Sequence, residues 1–160
     1  MGAQVGVDST LLEANAAMKT IVRRDTGEDW KDYVRRLMRE EGVINEDDDL
    51  SDEDLRRFDR NRSGKRVSNT EWKSSSDEDA RIVKMKDGRT HFGYKAEHTI
   101  DLQTEVILSA TIHYGTEPDT QILLSAVMDA QINLVFAGSD ANIAEVTADR
   151  SRRQEAAQRF

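Results

Sequence analysis

The sequence predicts a mixed α/β chain built on one sheet that has both parallel and antiparallel strands. The longest strand signal is a hairpin over residues 90–101 and 105–114, where apolar residues recur at every second position. Because side chains alternate faces along a strand, each run is expected to have one largely apolar, buried face. The link at 102–104 is short enough to force antiparallel pairing. The two faces comprise Phe92, Tyr94, Ala96, His98 and Ile100, and then Val106, Leu108, Ala110, Ile112 and Tyr114.

Two shorter strand signals lie on either side of this hairpin in the chain. One covers residues 4–8 and the other covers 143–149, and each ends in an aspartate. A helix is predicted between the hairpin and the last strand, because Thr116 can cap it and an apolar stripe continues to Ile132. The element order is therefore strand, insertion, hairpin, helix and strand.

Residues 11–88 are predicted to be an insertion after the first strand, helical at first and then a loop. Apolar spacing favours one helix over 11–22 and a second over 30–38, and a third, shorter helix is expected to begin after Ser51. The polar stretch at 61–80 is expected to be a long, exposed and poorly ordered loop.

Composition excludes several classes of protein. A chain of 160 residues suits a single domain, and the absence of cysteine excludes disulfides and thiolate metal sites. No apolar run is long enough to span a membrane, and the N-terminus lacks the pattern of a secretory signal. A cytoplasmic protein with no membrane partner is expected.

Charge is concentrated in two adjacent blocks. The net charge of −8 argues against a general nucleic-acid binder, but seven acidic residues lie between Glu46 and Asp54. Six basic residues follow between Arg56 and Arg66. This basic run could contact DNA phosphates, or it could neutralise the acids before it, so the global charge says little about partners.

The two strand-end aspartates, Asp8 and Asp149, are the residues most suited to chemistry. If their strands are parallel neighbours, the two carboxylates converge at one end of the sheet. Two carboxylates at such a short distance repel each other unless a cation lies between them. Mg²⁺ and Mn²⁺ prefer oxygen ligands of this kind. An aspartate after a strand can also be a helix cap or a turn residue, and spacing alone leaves both interpretations open.

Several blocks of the sequence resemble one known family. Residues 5–16 resemble the block around the first catalytic aspartate of bacterial insertion-sequence transposases of the DDE type, and residues 21–27 resemble the segment that follows it. Residues 79–95 are similar to the family's approach to its central hairpin, and residues 145–149 are similar to the strand that carries the second catalytic aspartate. The resemblance covers residues 4–149.

This resemblance implies a ribonuclease-H-like fold with a helical insertion after its first strand. The strands at 4–8 and 143–149 are then parallel neighbours, with the strand at 90–101 on the other side of the first. In the family, two aspartates and a glutamate hold two divalent ions that activate water or a DNA 3′-hydroxyl. The resemblance maps Asp8 and Asp149 onto the first two acids, as catalytic residues and as ligands of Mg²⁺ or Mn²⁺, and it implies transposon-end DNA as the partner.

The chain also departs from the family pattern. The family follows its second aspartate with a Gly-Tyr pair, whereas a basic, off-pattern tail occupies residues 150–160 here. The third acid lies far downstream in the family, and Glu155 is too close to Asp149 to replace it. The expectation is an incomplete ribonuclease-H-like fold, a central fragment of a transposase without activity. The alternatives are a non-enzymatic fragment that binds full-length transposase, itself or DNA and interferes with transposition, and an acidic interaction module whose resemblance is fortuitous.

Two other patterns have simpler explanations than a metal site. Residues 59–64 match the opening of an EF-hand loop, but the glutamate expected at its twelfth place is one residue late and the loop is basic. His91 and His98 differ by an odd number of residues, so a regular strand puts them on opposite faces. Paired strand histidines are therefore favoured over a metal cluster.

Overall fold

The computed structural model describes residues 3–46 and 48–148, and the chain divides into two compact units. One unit, Met1–Leu12 with Gly93–Phe160, is called the sheet unit below. The other, Glu13–Phe92, is called the insert unit. The protein is a mixed α and β chain with a mixed sheet, as expected, and its described residues include three α-helices.

The strands are β1 (Gln4–Glu13), β2 (Ile21–Arg23), β3 (Trp72–Ser74), β4 (Arg81–Lys84), β5 (Thr90–Asp101), β6 (Ile107–Tyr114) and β7 (Glu145–Ala148). The helices are α1 (Trp30–Glu40), α2 (Asp52–Asn61) and α3 (Asp119–Phe136), and a short 3-10 helix spans Met18–Thr20. None of the described helices combines the length and the apolar character that crossing a membrane requires.

The pairing of β1 follows the expected arrangement. β7 lies parallel to β1, in a register that begins at Gln4–Glu145 and ends at Val7–Ala148. β5 lies on the other side of β1 and pairs in turn with β6, which is antiparallel to it, and with β4. The prediction that the first and last strands are parallel neighbours, with the hairpin strand on the far side of the first, is confirmed.

α3 covers one face of the sheet in the sheet unit. Its Ala130 and Leu134 form a buried cluster with Val5 of β1 and Leu108 of β6. The hydroxyls of Thr99 and Ser109 both donate to the carbonyl oxygen of Ala126, at 3.4 Å and 3.2 Å. Small helix residues therefore allow close approach, and short polar side chains of the sheet are satisfied beneath the helix.

The face of β6 that alternation marked as buried is largely exposed, although Leu108 of that face packs in the cluster under α3. Glu97, Thr99 and Asp101 of β5 are at most 1% exposed, whereas Ile112 and Tyr114 of β6 are 61% and 42% exposed. The prediction of a single apolar, buried face is wrong for β6. Alternation of apolar residues identifies the two faces of a strand, but the packing of α3 determines which face is buried. The pairing of β5 with β6 also shifts register between Thr99 and Ile100.

The insert unit has its own core, in which α1 packs on α2. Val34, Met38 and Leu55 are buried together, with Trp30, Tyr33, Ile44, Leu50 and Phe58 packed against them. Side chains cap both helices, because Asp29 accepts from the amide of Asp32 at 2.9 Å and Ser51 accepts from the amide of Asp54 at 3.3 Å. The start of α2 after Ser51 agrees with the prediction.

Two segments of the insertion differ from expectation. Residues 11–22 were expected to be helical, but β1 continues to Glu13 because it remains paired with β5 as far as the Ala14 amide, which donates to the Phe92 carbonyl at 2.9 Å. Within 61–80, β3 buries Trp72 and Ser74 against the rest of the unit. The stretch is polar on average, so its composition did not indicate the short strand β3 or the burial of Trp72.

Candidate functional site

Asp8 lies within β1 and not at its end. The strand runs on for five more residues to Glu13, so the expected strand-end position is wrong. Asp8 directly follows Val7, which pairs with Ala148 of β7. Its side chain is exposed. Asp149, the other predicted catalytic and metal-binding residue, lies outside the described residues.

A shallow groove of about 470 Å³ opens beside Asp8. It lies entirely within the sheet unit and is lined by Gly6, Val7, Asp8, His98, Ile100, Thr147 and Ala148. Gly6 and Asp8 alternate with Val5 and Val7, and Val5 packs in the cluster under α3. Gly6 and Asp8 therefore face the side of the sheet that α3 does not cover.

The glycine helps to keep this groove open. A Cβ atom at Gly6 would come within 2.9 Å of Leu102 Cδ2 and 3.5 Å of Ile100 Cγ1. Any larger residue at this position would therefore displace the half-exposed end of Leu102. The backbone next to Asp8 is thus accessible from the groove side.

His98 is the direct cross-strand neighbour of Asp8, which sequence reasoning did not identify. Backbone bonds join Leu102 to Gln4 at 3.0 Å and Ala14 to Phe92 at 2.9 Å, at the two ends of the β1–β5 ladder. The same number of residues separates these bonds on each strand, so the ladder has a constant register and pairs position 8 with position 98. Alternation placed His98 on a face of the hairpin, but only the register of a third strand could reveal its neighbour.

The groove collects donor atoms suited to a hard cation or to a proton-transfer step. The Asp8 carboxylate, the Thr147 hydroxyl and the His98 imidazole line the same open space. Among residues 3–46 and 48–148, no group of three or more acidic or histidine side chains is close enough to hold a metal ion. One described carboxylate alone is a weak site, so tight binding there would need a further acidic ligand.

The remaining histidines each have carboxylate partners of their own. His91 is held between Glu13 and Asp87, with Nδ1 2.7 Å from Glu13 Oε1 and Nε2 2.9 Å from Asp87 Oδ2. These hydrogen bonds, to Asp87 first and then to Glu13, raise the pKa of His91 above its usual value. Nδ1 of His113 lies 3.5 Å from Glu117. His91 and His113 therefore pair with carboxylates and not with each other.

The EF-hand-like sequence is not arranged to hold Ca²⁺. Its first residue, Asp59, is only 3% exposed and accepts hydrogen bonds from Arg62, Lys65 and Trp30. Since two cationic side chains already occupy the carboxylate, a calcium ion would have to displace both.

Comparison of the chain with models of protein families, with curated proteins and with solved structures finds no match.

Proposed function

We propose that this chain contributes part of the catalytic domain of a metal-dependent DDE transposase, with a ribonuclease-H-like fold. Asp8 is the first catalytic acid in this proposal and Asp149 is the second. The observation that carries the proposal is the parallel pairing of β1 with β7, whose described register includes Val7–Ala148. In the sequence, Asp8 follows Val7 and Asp149 follows Ala148.

The order of the sheet adds support. The family resemblance implied a first strand between the hairpin on one side and the last strand on the other, and β1 has these neighbours. The insertion between β1 and β5 forms a compact unit of its own, as a self-contained insertion would. This order of strands and the compact insertion favour the transposase fold over an acidic interaction module.

The proposed cofactor is Mg²⁺ or Mn²⁺, held by the carboxylates of Asp8 and Asp149. When bound, such ions activate the attacking oxygen and neutralise charge on the transferring phosphate. Asp8 fits this role because its carboxylate is exposed in an open groove that also presents the Thr147 hydroxyl. No glutamate of this chain has the sequence context of the third acid, so the chain by itself supplies two of the three ligands. We expect weak ion binding and no DNA cleavage or strand transfer by this chain alone.

Metal titration tests the role of Asp8. Mn²⁺ binding is measured through the loss of the free-ion electron paramagnetic resonance signal, with Asp8→Asn as the variant and Asp140→Asn as the control. Asp140 is an exposed aspartate of the sheet unit that does not line the groove. Weak binding that Asp8→Asn abolishes and Asp140→Asn preserves supports the proposal. Equal binding by all three proteins contradicts it.

An activity assay tests the other half of the proposal. The purified chain is incubated with Mn²⁺ and DNA that carries the ends of the element. We expect no product. Cleavage that disappears in Asp8→Ala would show that this chain is a complete catalyst, and that our inference about the missing third acid is wrong.

A second candidate function is association with a protein partner without catalysis. α3 is apolar on its outer side as well as beneath, and exposes Leu124, Met128, Ile132, Val135 and Phe136. A helix that is apolar all round is usually buried on both sides. A fragment that binds full-length transposase, or a second copy of itself, would cover this face. Light scattering of the wild type and of Leu124→Lys tests self-association, which the lysine should abolish.

A further inference from the structure

The insert unit contains a cleft of about 470 Å³, separate from the groove at Asp8. Its walls come from β2, β3, α1, α2 and the segment after α2. The lining residues are Met18, Lys19, Ile21, Asp29, Trp30, Lys31, Asp52, Arg56, Asp59, Arg62, Lys65, Arg66, Val67 and Trp72. The volume lies within the range of small-molecule sites.

The lining of the cleft is positively charged in a protein whose net charge is −8. Six lysines and arginines line it, against three aspartates. One aspartate is taken by Lys31, whose Nζ lies 2.7 Å from Asp52. Lys19 and Arg66 take part in no ion pair among the described residues, whereas Arg56, after Lys31, helps to lower the pKa of the Asp52 carboxylate. A surplus of positive charge therefore remains available to a ligand.

The buried carboxylate of Asp59 organises part of this lining. It accepts hydrogen bonds from Arg62 Nε at 2.7 Å, from Trp30 Nε1 at 3.2 Å and from the Lys65 ammonium. Burial alone would raise the pKa of Asp59, but the hydrogen bonds from Lys65, Arg62 and Trp30 lower it below its usual value. The carboxylate is therefore ionised at neutral pH, and it fixes two cations and an indole in position before any ligand arrives.

The same cleft has an apolar wall that includes both tryptophans. Trp72 is 3% exposed and is held edge-on against Tyr33, with ring centroids 5.1 Å apart. Trp30, Ile21, Met18 and Val67 add apolar surface. A wall of this kind favours a ligand with a flat, apolar body, and does little for a small inorganic ion.

We propose that the cleft of the insert unit binds a nucleoside phosphate, with its base against the apolar wall at Trp30 and its phosphates among the basic side chains. This ligand class combines a flat ring with several negative charges in a molecule that such a cleft can hold. Arginine is well suited to phosphate oxygens, because its planar guanidinium donates two parallel hydrogen bonds. The proposal gives the basic run at 56–66 a role in binding. It depends neither on Asp8 nor on the proposed transposase function.

The protein carries its own reporter for this site. The sequence has two tryptophans, Trp30 and Trp72, and both line the cleft. Tryptophan fluorescence of the full chain therefore reports on the insert unit, in which the cleft lies. The nucleoside diphosphates ADP, GDP, CDP and UDP are titrated with fluorescence detection, and calorimetry confirms the dissociation constants. Adenosine and pyrophosphate, each titrated alone, separate the contribution of the base from that of the phosphates.

We expect at least one nucleoside diphosphate to change the fluorescence saturably and to bind at least tenfold more tightly than adenosine or pyrophosphate. Arg56→Ala and Arg66→Ala should each weaken binding by about tenfold, since each removes a charged hydrogen-bond donor. Arg60→Ala is the matched control, because Arg60 is an exposed arginine of the same helix as Arg56 and does not line the cleft. It should leave the affinity unchanged.

Three results would overturn the proposal. The first is pyrophosphate binding as tightly as every diphosphate, which would show an anion site with no use for the base. The second is the absence of saturable binding by any of the four nucleoside diphosphates. The third is an equal loss of affinity in Arg60→Ala and Arg56→Ala, which would show a general effect of charge. None of these results bears on Mn²⁺ binding at Asp8, so failure here leaves the proposed function standing.

Discussion

Replacing Asp59 with asparagine should destabilise the insert unit more than any exposed charge substitution. The Asp59 side chain is 4% exposed and has three donors, Arg62, Lys65 and Trp30. Asparagine keeps the shape but removes the charge, and it turns an NH₂ group toward cationic donors. The Arg62 side chain is 13% exposed, so in the variant it loses most of the negative charge that offsets the burial of its guanidinium. The Lys65 side chain is 41% exposed, so water can solvate its ammonium group instead.

The magnitude follows from these exposures. Hydrogen bonds to charged groups contribute about 1.5–3 kcal/mol each, and the loss of one member of a buried pair costs about 3–5 kcal/mol. With the Lys65 contribution discounted for solvation, we expect Asp59→Asn to lower the free energy of unfolding by about 2–4 kcal/mol. For a unit of this size, that corresponds to a fall of about 10–20 °C in melting temperature.

Urea unfolding followed by tryptophan fluorescence measures this effect, because both tryptophans lie in the insert unit. Asp32→Asn is the control, since Asp32 is 64% exposed and its ion pair with Arg35 is long, at 3.4 Å. This control should shift the free energy by less than about 0.5 kcal/mol. Indistinguishable unfolding midpoints for the two variants would refute the structural role assigned to Asp59.

Further predictions concern pH, packing and capping. The pKa of Asp59 is lowered in the folded protein. The contribution of its carboxylate to stability should therefore be complete above pH 3.8, its ordinary pKa, and should be lost as the pH falls through the lower folded pKa. Urea unfolding at several pH values measures this loss. The pKa of His91 is raised in the folded protein. The stability difference between the wild type and His91→Gln should therefore be complete below pH 6.5 and should disappear as the pH rises through the folded pKa of His91. Nuclear magnetic resonance titration of His91 checks that its pKa is raised. Leu55→Ala, at a fully buried position, should cost about 2–5 kcal/mol in the same unfolding assay. Ser51→Ala should cost about 1 kcal/mol, because the cap of α2 is lost.

Local signals were sufficient for the elements that begin or end at a capped or strongly periodic position. α1 starts after Asp29 and α2 after Ser51 because both caps are encoded within a few residues. The hairpin was evident because β5 and β6 are long and adjacent in sequence. These features depend on neighbours in the chain, and the sequence displays such neighbours directly.

The misassigned segments depend on partners far along the chain. Leu11 and Leu12 have helical spacing with the residues that follow, but β5 is available to pair with them and strand pairing prevails. The polar face of β5 is buried because α3 presents Ala126 to Thr99 and Ser109, and hydrophobicity alone cannot indicate that. The same limitation hid the proximity of His98 to Asp8, since it follows from the register between two strands some ninety positions apart.

The position of Asp8 within β1 also bears on the metal site proposed there. If Asp8 ended a short strand, its carboxylate would be loosely placed, and poor binding could be attributed to mobility. Instead β1 is an interior strand, paired with β5 on one side and with β7 on the other. The β5 ladder runs past Asp8, and the described pairing with β7 includes Val7 beside it, so the backbone at Asp8 is held within an interior strand. Weak binding at this groove would then reflect the number of carboxylates that meet there, and adding a carboxylate should improve affinity more than stiffening the strand would.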